Sequence, residues 1–324
     1  MEELVDYIKI IENALQKEQA IKEPKTLYNP IKYTLSLGGK RIRPALVLLA
    51  NDLFGGATNN AINAALGIEI FHNFTLIHDD IMDDAPLRRG QDTVYKKWGT
   101  NISILSGDVM FVRSFQLITK TDSPQLKSII DVFTKTAIQV CEGQQYDMDF
   151  ETKSSVFIDD YLKMIELKTA VLLAASLKIG AIIGGANQVD SNHLYEFGKN
   201  LGIAFQLMDD VLDLYGEPEK FGKRIGGDII ANKKTYLLLK AQELAEGQTK
   251  KELEFCLSSK ALSENAKVEK IKTIFNQLKI KELAIAEMNL FYNTALSHLD
   301  SINAPQDKKQ VFEKFAKTLM NRES

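Results

Sequence analysis

The chain has 324 residues, of which 45% are hydrophobic and 26% are charged, and its formal net charge is -3. This composition is typical of a globular protein large enough to bury a substantial core, and it gives no indication of nucleic-acid binding. Cys141 and Cys256 are isolated, without a CxxC motif or a Cys/His cluster, so the cysteines predict no zinc site and favour a reduced intracellular compartment.

The sequence contains no recognisable targeting or membrane segment. The first ten residues, MEELVDYIKI, lack the basic region and apolar core of a signal peptide. The longest apolar run, at residues 169–185, contains Ser176, Lys178 and several glycines, and it falls short of a membrane span. These features predict a cytoplasmic protein.

Apolar residues recur at helical spacing along almost the whole chain. Leu4, Ile8, Ile11 and Leu15 fall on one face of a first helix. Further helices are predicted at residues 27–37, 43–54, 61–84, 102–119, 125–149, 159–183, 192–214, 234–244 and 263–299. No hairpin signal stands out.

The breaks between these helices are short, except for one. They fall at residues 38–39, 55–56, 86–90 and 184–185, while residues 215–227 are rich in glycine and charge and are long enough to form a functional loop. No low-complexity linker divides the chain. The sequence therefore predicts an all-α fold in a single domain that spans residues 1–324.

The stretch HDDIMDDAPLRRG, which begins at His78, crowds carboxylates at a predicted helix end. Asp79 and Asp80 lie four and three residues before Asp83, so the three converge on one helical face, where they repel one another and oppose the helix dipole. Mg²⁺ would remove the conflict, since it accepts hard oxygen ligands and shares its coordination with phosphates. An exposed acidic helix end is the alternative, and a calcium loop fits less well because the glycine at its sixth position is missing.

The stretch FQLMDDVLDLYG repeats the arrangement far along the chain. Asp209, Asp210 and Asp213 have the same spacing as the first cluster, and Gln206 lies on the same helical face. Two facing carboxylate sets predict a cavity for several Mg²⁺ ions, and several such ions imply a highly charged anion such as a diphosphate.

Cationic residues occur in three short groups that could neutralise phosphate. Each group alone is also explained as solvated surface. Together with the aspartates, the groups indicate two anion-binding modes, with metal-bridged phosphate at the carboxylates and metal-free phosphate at the arginines. The groups are Lys40, Arg41 and Arg43; Arg88 and Arg89; and Lys223, Lys233 and Lys234.

Six motifs occur in a fixed order: GGKRIRP, HDDIMDDAPLRRG, GQQYD, ELKTA, FQLMDDVLD and GKRIGGDIIANKKT. On these motifs the chain resembles, over nearly its full length, the trans-isoprenyl diphosphate synthases of the polyprenyl synthetase family. The resemblance implies an all-α isoprenoid synthase bundle around a central cavity, usually a homodimer. Such enzymes join an allylic diphosphate (dimethylallyl, geranyl or farnesyl) head to tail to isopentenyl diphosphate.

The resemblance also implies a role for each matching residue. The ligands of about three Mg²⁺ ions would be Asp79, Asp80, Asp83, Asp209, Asp210 and Asp213. The allylic diphosphate would be gripped by Arg88, Lys168, Lys223 and Lys233. Isopentenyl diphosphate would be held by Lys40, Arg43, His72 and Arg89. The reacting carbons would be lined by Thr169, Phe205 and Gln206, and the metal shell would be supported by Gln144 and Asp147.

Two of these assignments have alternatives, and one further residue has no assigned role. His72 is also explained as a satisfied core histidine. Lys233 and Lys234 are equally good matches to one motif position. Arg322 alone remains of the basic tail that often ends the family's chains, so its part in the site is open.

In the resembled reaction, metal ions and cationic side chains stabilise the departing diphosphate, and the alkene of isopentenyl diphosphate attacks the allylic cation. A terpene cyclase is a rival interpretation, but it has no need of GGKRIRP, and its second metal site usually has a different pattern. A catalytically inactive partner subunit is another rival, but such chains usually lose aspartates that are complete here.

Product length is expected to depend on the residues one to two turns before Asp79. Phe74 is bulky enough to form the floor of an apolar tunnel, while Thr75 is small, and Phe71 lies nearly one turn farther back. Of these two positions before the aspartates, only the farther one, Phe74, is aromatic. In this respect the chain resembles family members that stop at geranylgeranyl diphosphate. Farnesyl diphosphate is the alternative product, and core packing is the alternative role of both phenylalanines.

Overall fold

The computed structural model describes residues 2–18, 22–153, 155–216, 225–259 and 261–320. Helices dominate these residues, and the strands among them form one short pair, so the all-α prediction is confirmed. The chain divides into two compact units: one draws on Met1–Ala137, Leu172–Tyr195 and Ser301–Lys309, and the other on Ile138–Val171, Glu196–Asp300 and Gln310–Ser324. The organisation of residues 1–324 as a single domain stays a prediction.

The helices up to residue 183 are interrupted by one hairpin and one π-helical turn. The α-helices are α1 Glu2–Glu18, α2 Lys25–Ser36, α3 Ile42–Leu53, α4 Thr58–Met82, α5 Val94–Trp98, α6 Thr100–Thr119, α7 Leu126–Thr152, α8 Ile158–Ile165 and α9 Val171–Ile183. The hairpin strands are β1 Leu87–Arg88 and β2 Gln91–Asp92, and the π-helical turn is Glu166–Ala170.

The rest of the described chain is helical. It comprises α10 Gln188–Tyr215, α11 Gly227–Ile230, α12 Tyr236–Leu244, α13 Gly247–Ser258, α14 Glu264–Gln277, α15 Ile280–Asp300 and α16 Gln306–Met320.

In the first unit, two glycines let α4 and α6 approach at backbone distance. A Cβ atom on Gly67 of α4 would lie 2.9 Å from the Ile118 side chain of α6. In the opposite direction, Gly107 of α6 faces the His78 ring of α4 so closely that a Cβ atom would overlap it. This contact fixes the helix end that carries the first aspartates, because His78 directly precedes Asp79.

In the second unit, two glycines enclose the π-helical turn. Gly143 of α7 faces the backbone at Lys168, and a Cβ atom on Gly202 of α10 would lie 2.7 Å from the Cα atom of Ala170. The expected single helix over residues 159–183 is therefore wrong at this turn, where one extra residue enters the helix. Such turns often lie at functional sites, because they change the direction of the side chains they carry.

The absence of a hairpin was a wrong prediction. Leu87 pairs with Asp92 and Arg88 with Gln91 across a two-residue turn, in which Arg89 and Gly90 both have positive φ, +54° and +74°. Positive φ at both central residues matches the twist of a β-hairpin. Strands of two residues are too short to show an alternating pattern, so this hairpin has no periodic signal in the sequence.

The predicted helix over residues 263–299 is two helices. It breaks at Lys279, which adopts a left-handed conformation with φ +56°. Neither glycine nor proline marks this break in the sequence. Helices α13 and α16 were missed altogether, although the buried Phe312, Phe315 and Leu319 of α16 follow a helical spacing.

Helix α6 is the one helix in the described ranges that is long and apolar enough to cross a membrane by length and composition. Its most apolar window has a mean hydropathy of 1.2, and 39% of it is buried. A core helix passes the same test.

Replacement of Lys279 by glycine should stabilise the protein by about 1 kcal/mol, because glycine adopts positive φ without the steric cost that a Cβ atom imposes. Urea denaturation would measure the change. The matched control is Ala286→Gly, at an exposed position inside α15, which should destabilise by about 1 kcal/mol. Equal effects of the two substitutions would contradict the backbone argument.

Candidate active site

The first carboxylate cluster lies at the C-terminal end of α4. The helix ends at Met82, two residues earlier than predicted, and Asp83 follows it with its N–H donating to the Asp79 carbonyl oxygen at 2.8 Å. Asp80 is buried, Asp79 is half-buried and Asp83 is exposed. The three carboxylates, predicted to lie on one helical face, thus differ in their contact with water.

Arg88 supplies positive charge to this cluster from the hairpin. Its Nε atom donates to Asp80 Oδ1 at 2.8 Å, and its Nη2 atom lies 2.6 Å from Asp80 Oδ1 and 3.4 Å from Asp79 Oδ2. Burial raises the pKa of Asp80, while the hydrogen bond and charge of Arg88 act against that shift. The guanidinium relieves the repulsion that the sequence pattern creates.

Arg89 turns to the glycine pair near residue 38. Its Nη1 atom donates to the Gly38 carbonyl oxygen. A Cβ atom on Gly39 would lie 2.8 Å from the same guanidinium, so residue 39 must lack a side chain for the contact to form. The structure therefore places two neighbouring arginines at different partners, Arg88 at the aspartates and Arg89 at the glycine turn.

His72 lies among cations in the same unit. The Nη1 atom of Arg43 donates to His72 Nε2 at 3.3 Å. Burial, and then the charges of Arg43, Arg89, Arg88 and Arg41, hold the pKa of His72 well below its ordinary value of 6.5. The imidazole is consequently neutral at pH 7 and accepts the hydrogen bond from Arg43.

This cationic group is suited to an anion. The Nε atom of Arg43 is buried without a hydrogen-bond partner, and burial together with the charge of Arg41 lowers the pKa of Arg89. Lys40 is exposed on the glycine turn beside them. An anion such as phosphate would satisfy the unpaired donor and reduce the repulsion between the cations.

Arg41 does not belong to this anion-binding group, although the sequence places it there. It is buried at the left-handed N-cap of α3, where Nη1 contacts Glu69 Oε1 at 2.6 Å, Nε contacts Glu12 Oε1 at 2.7 Å and Nη2 donates to the Leu35 carbonyl oxygen at 2.8 Å. Two glutamates already compensate its charge. Arg41 therefore ties α1, α2 and α4 to the start of α3.

Replacement of Arg41 by methionine should lower the free energy of unfolding by about 3 to 5 kcal/mol, because it leaves the Glu69 carboxylate buried without its cation. Urea denaturation would measure the loss. In the control Glu12→Gln, the side chain removed is 40% exposed, so the loss should stay within about 1 kcal/mol. Losses of equal size would contradict a buried tether.

His72 should make the fold sensitive to mild acid. Its pKa is lower in the folded than in the unfolded chain, so below pH 6.5 the unfolded state binds a proton that the folded state does not. Stability should fall by up to about 1.4 kcal/mol per pH unit as the pH decreases from there. His72→Gln should flatten this slope in thermal melts between about pH 5 and 7, and His193→Gln is the control. An unchanged slope in the His72 variant would contradict the account.

The second carboxylate cluster surrounds a cavity of about 140 Å³ in the second unit. The cavity combines acidic, cationic and apolar side chains. Its acidic lining residues are Asp147, Asp209, Asp210, Asp213 and Asp228; the remaining ones are Tyr161, Met164, Ile165, Lys168, Thr169, Gln206, Lys233 and Thr235.

Asp210 is the buried centre of this cluster. Its Oδ2 atom accepts hydrogen bonds from the Tyr161 hydroxyl and, at 3.4 Å, from the Tyr236 N–H. Thr169 Oγ1 donates to Gln206 Oε1 at 3.5 Å, and Gln206 Nε2 donates to Asp210 Oδ1 at the same distance. Burial raises the pKa of Asp210 to about 7, although Tyr161 and the charge of Lys233 act against it.

The two candidate lysines after the glycine loop have different surroundings. Lys233 lines the cavity, whereas Lys234 donates to the carbonyl oxygens of Phe150 and Lys153. The geometry therefore favours Lys233 as the phosphate contact. Lys168 lies in the π-helical turn, and its Nζ atom donates to Asp147 Oδ2 at 2.6 Å.

Other predicted residues have less direct positions. Asp213 Oδ2 accepts the Asp228 N–H at 3.1 Å, so this carboxylate also anchors the turn that starts α11. Gln144 has a buried Nε2 atom without a hydrogen-bond partner. Phe205 is half-buried and is not among the described residues that line the cavity. Lys223 and Arg322 lie outside the described residues.

The sequence interpretation missed Tyr161 and Asp228. Tyr161 precedes Lys168 by seven residues, two helical turns, but a tyrosine at that spacing does not differ in pattern from any core aromatic residue. Asp228 stands in GGDII, within a motif that was recognised for its lysines. A carboxylate next to a glycine pair in that motif was the available signal.

The carboxylates fit Mg²⁺ bound together with phosphate. No three Asp, Glu, His or Cys side chains of the described residues stand close enough to form a ready-made ligand set. Mg²⁺ keeps several waters and is bound through one or two carboxylates plus substrate phosphates, so separate carboxylates around a cavity suit it. The lysines of the cavity supply the remaining positive charge.

The phenylalanines before Asp79 belong to an aromatic cluster. Phe71 is fully buried, with ring centroids 5.5 Å from Phe74, 6.0 Å from Phe111 and 5.4 Å from Phe133. Phe74 is half-buried and lies 5.1 Å from Phe111. Core packing therefore explains Phe71. Phe74 retains an exposed surface, and its ring packs against Phe111 of α6.

Thr75 is held by its own helix. Its Oγ1 atom donates to the His72 carbonyl oxygen at 2.8 Å, and the side chain is half-buried beside Phe74. The small residue thus leaves the surface of Phe74 partly open.

Known proteins resemble this chain over most of its length. The family model described as polyprenyl synthetase matches residues 24–278. A geranylgeranyl diphosphate synthase of Methanosarcina mazei is 41% identical over 246 residues, which are 74% of this chain and 76% of the relative. Another, from Sulfolobus acidocaldarius, is 38% identical over 285 residues, 87% of this chain and 86% of the relative.

Solved structures give the same result. A crystal structure of a geranylgeranyl pyrophosphate synthase has a TM-score of 0.93 and 41% identity and covers 99% of each chain. A synthetase of the same name from Pyrococcus horikoshii has a TM-score of 0.92 and 33% identity and covers 99% of this chain and 98% of the other. The protein is a helical prenyl synthase in its fold. It belongs to the polyprenyl synthetase family, as its motifs predicted.

Proposed function

We propose that the protein is a Mg²⁺-dependent trans-prenyltransferase that joins an allylic diphosphate head to tail to isopentenyl diphosphate and releases diphosphate. The proposal rests on the separation of two kinds of site, one rich in carboxylates and the other rich in arginines. The aspartates at residues 79 and 80 and the carboxylate-lined cavity suit metal-bridged diphosphate, whereas Arg43, Arg89 and neutral His72 suit a diphosphate without metal.

The side chains would act by positioning and by electrostatic stabilisation. Bound Mg²⁺, about three ions in the proposed complex, would stabilise negative charge on the leaving diphosphate. Arg88, Lys168 and Lys233 would add positive charge there, each from a position beside a carboxylate. The proposed metal ligands are Asp79, Asp80 and Asp83 in the first unit and Asp209, Asp210 and Asp213 in the second.

Arg43 would hold isopentenyl diphosphate in the first unit, together with Arg89, Lys40 and His72. A neutral His72 can accept from Arg43 and turn its other ring nitrogen to the substrate. The proposed reaction forms no bond to the protein. The alkene would supply the electron pair of the new bond to the allylic carbon, whose C–O bond to diphosphate breaks, and the proton that the adduct then loses would pass to the released diphosphate.

We infer geranylgeranyl diphosphate as the product. The relatives with that name support it, and so does Phe74, whose exposed surface could stop chain growth while Thr75 leaves room beside it. Farnesyl diphosphate is the alternative. Cytoplasmic location is inferred as well, in keeping with two cysteines that remain unpaired.

The direct test is product analysis. Purified protein with Mg²⁺, isopentenyl diphosphate and each allylic diphosphate should form geranylgeranyl diphosphate, identified by mass spectrometry, and omission of Mg²⁺ should abolish it. Asp80→Asn is the inactive control, since it removes a proposed ligand while keeping the shape. A cyclic hydrocarbon would instead indicate a terpene cyclase, and no turnover would indicate a non-catalytic partner subunit.

Chain length should respond to two opposite substitutions. Phe74→Ala should lengthen the product, because it removes the exposed ring that Phe111 supports. Thr75→Phe should shorten it to farnesyl diphosphate, because a second ring closes the remaining space. Mass spectrometry of the products measures both, and an unchanged product in both variants would place the floor elsewhere.

We also propose that the protein is a homodimer and that α6 contributes to the interface. Ile104, Leu105 and Val112 of this apolar helix are 42%, 58% and 57% exposed. A second copy of the same chain would cover them, in line with the homodimers that the resemblance implies.

The double substitution Leu105→Glu with Val112→Glu should convert the dimer to a monomer in light scattering, because it buries two charges in the proposed interface. Leu290→Glu is the matched control. Leu290 is 62% exposed on α15, so this change should leave the mass unaltered. Dissociation by the control, or a dimer that survives the double variant, would contradict the assignment.

A further inference from the structure

Tyr161 is a buried polar residue in the second unit to which the proposed reaction gives no role. It lies on α8 with 2% of its surface exposed, and its hydroxyl donates to Asp210 Oδ2. A buried phenol normally needs such a partner. This partner, however, is one of the carboxylates proposed to bind metal.

The two oxygens of Asp210 have different surroundings. Oδ2 accepts from both Tyr161 and the Tyr236 N–H, whereas Oδ1 has one long contact of 3.5 Å, with Gln206, among the described residues. Two donors on one oxygen fix the plane of the carboxylate. They leave the other oxygen as the better ligand in the cavity that Tyr161 and Asp210 both line.

We propose that Tyr161 is a positioning residue, which holds Asp210 Oδ2 so that Oδ1 is presented to Mg²⁺ in one orientation. The inference rests on the proposed function, because it assumes that the cavity receives Mg²⁺ with a diphosphate. Outer hydrogen bonds of this kind orient metal ligands, and their loss typically weakens metal binding by about 10- to 100-fold.

Tyr161→Phe tests the role, since it keeps the ring and removes only the hydroxyl. Mn²⁺ replaces Mg²⁺ as a spectroscopic probe, and its binding is followed by electron paramagnetic resonance in the presence of inorganic diphosphate. The variant should bind Mn²⁺ at least about tenfold more weakly than the wild type. It should also need correspondingly more Mg²⁺ for half-maximal prenyl transfer.

Tyr215→Phe is the matched control. Tyr215 lies on the same helix as Asp210, but it is not among the described residues that line the cavity. Its hydroxyl donates to the neutral Asn276 Oδ1 at 2.9 Å. This variant should keep wild-type Mn²⁺ affinity. A second comparison uses Asp210→Asn, in which the further change Tyr161→Phe should have no effect on the remaining Mn²⁺ binding, because the carboxylate it orients is gone.

Wild-type Mn²⁺ affinity in a folded Tyr161→Phe protein would overturn the proposal, as would an equal loss in the Asp210→Asn background. If the phenylalanine variant does not fold in thermal melts, Tyr161→Leu, which also lacks a hydrogen-bond donor, gives the same two outcomes. A wild type that transfers no prenyl group would instead contradict the proposed function. That result is distinguishable, because it is obtained without any variant.

Discussion

Repulsion between like charges shapes both halves of the candidate site. Asp79 and Asp80 are adjacent at a helix end, and five carboxylates line one small cavity in the second unit. Arg43 and Arg89 stand close enough to lower the pKa of His72 between them. Charges gathered in this way lower the stability of a fold unless opposite charge is brought to them. Ligands of opposite charge, as in the proposed function, would complete these groups.

Close backbone contacts hold the helices that carry these charged groups. Gly67 and Gly107 bring α4 and α6 together in the first unit, and Gly143 and Gly202 enclose the π-helical turn in the second. Side chains at these four positions would push apart the helices that carry the charged groups. The buried pair of Arg41 and Glu69 has a similar role at the start of α3, where its charges are compensated within the protein.

Much of this could be predicted from the sequence. Helical periodicity predicted most helices, because each buries one face, and the repeated aspartate spacing indicated both clusters, because crowded charge is conspicuous in a sequence. Contacts between residues far apart in the chain could not be predicted in this way. Arg41 looked like its neighbours Lys40 and Arg43 until its contacts with Glu12 and Glu69 distinguished it, and Tyr161 had no pattern of its own.

Local backbone geometry was the other feature that could not be predicted from the sequence. The hairpin at Arg89 and Gly90 has strands too short for a periodic signal, and the π-helical turn leaves the apolar pattern of its helix nearly intact. Both features direct the side chains that matter: the hairpin turns Arg88 and Arg89 to different partners, and the π-helical turn carries Lys168 and Thr169. The positions of these candidate residues therefore depended on structure, although the motifs had already indicated which residues they are.

In the proposed reaction, the protein binds one diphosphate through metal and another through arginine. Calorimetric titration would distinguish these two modes, with an unreactive allylic thiolodiphosphate and with isopentenyl diphosphate, each in the presence and absence of Mg²⁺. We expect Mg²⁺ to strengthen binding of the allylic analogue by more than about 100-fold, equivalent to about 2.7 kcal/mol. We also expect the affinity for isopentenyl diphosphate to change by less than about threefold, within 0.7 kcal/mol or so. An equal Mg²⁺ dependence of the two ligands would contradict the two binding modes.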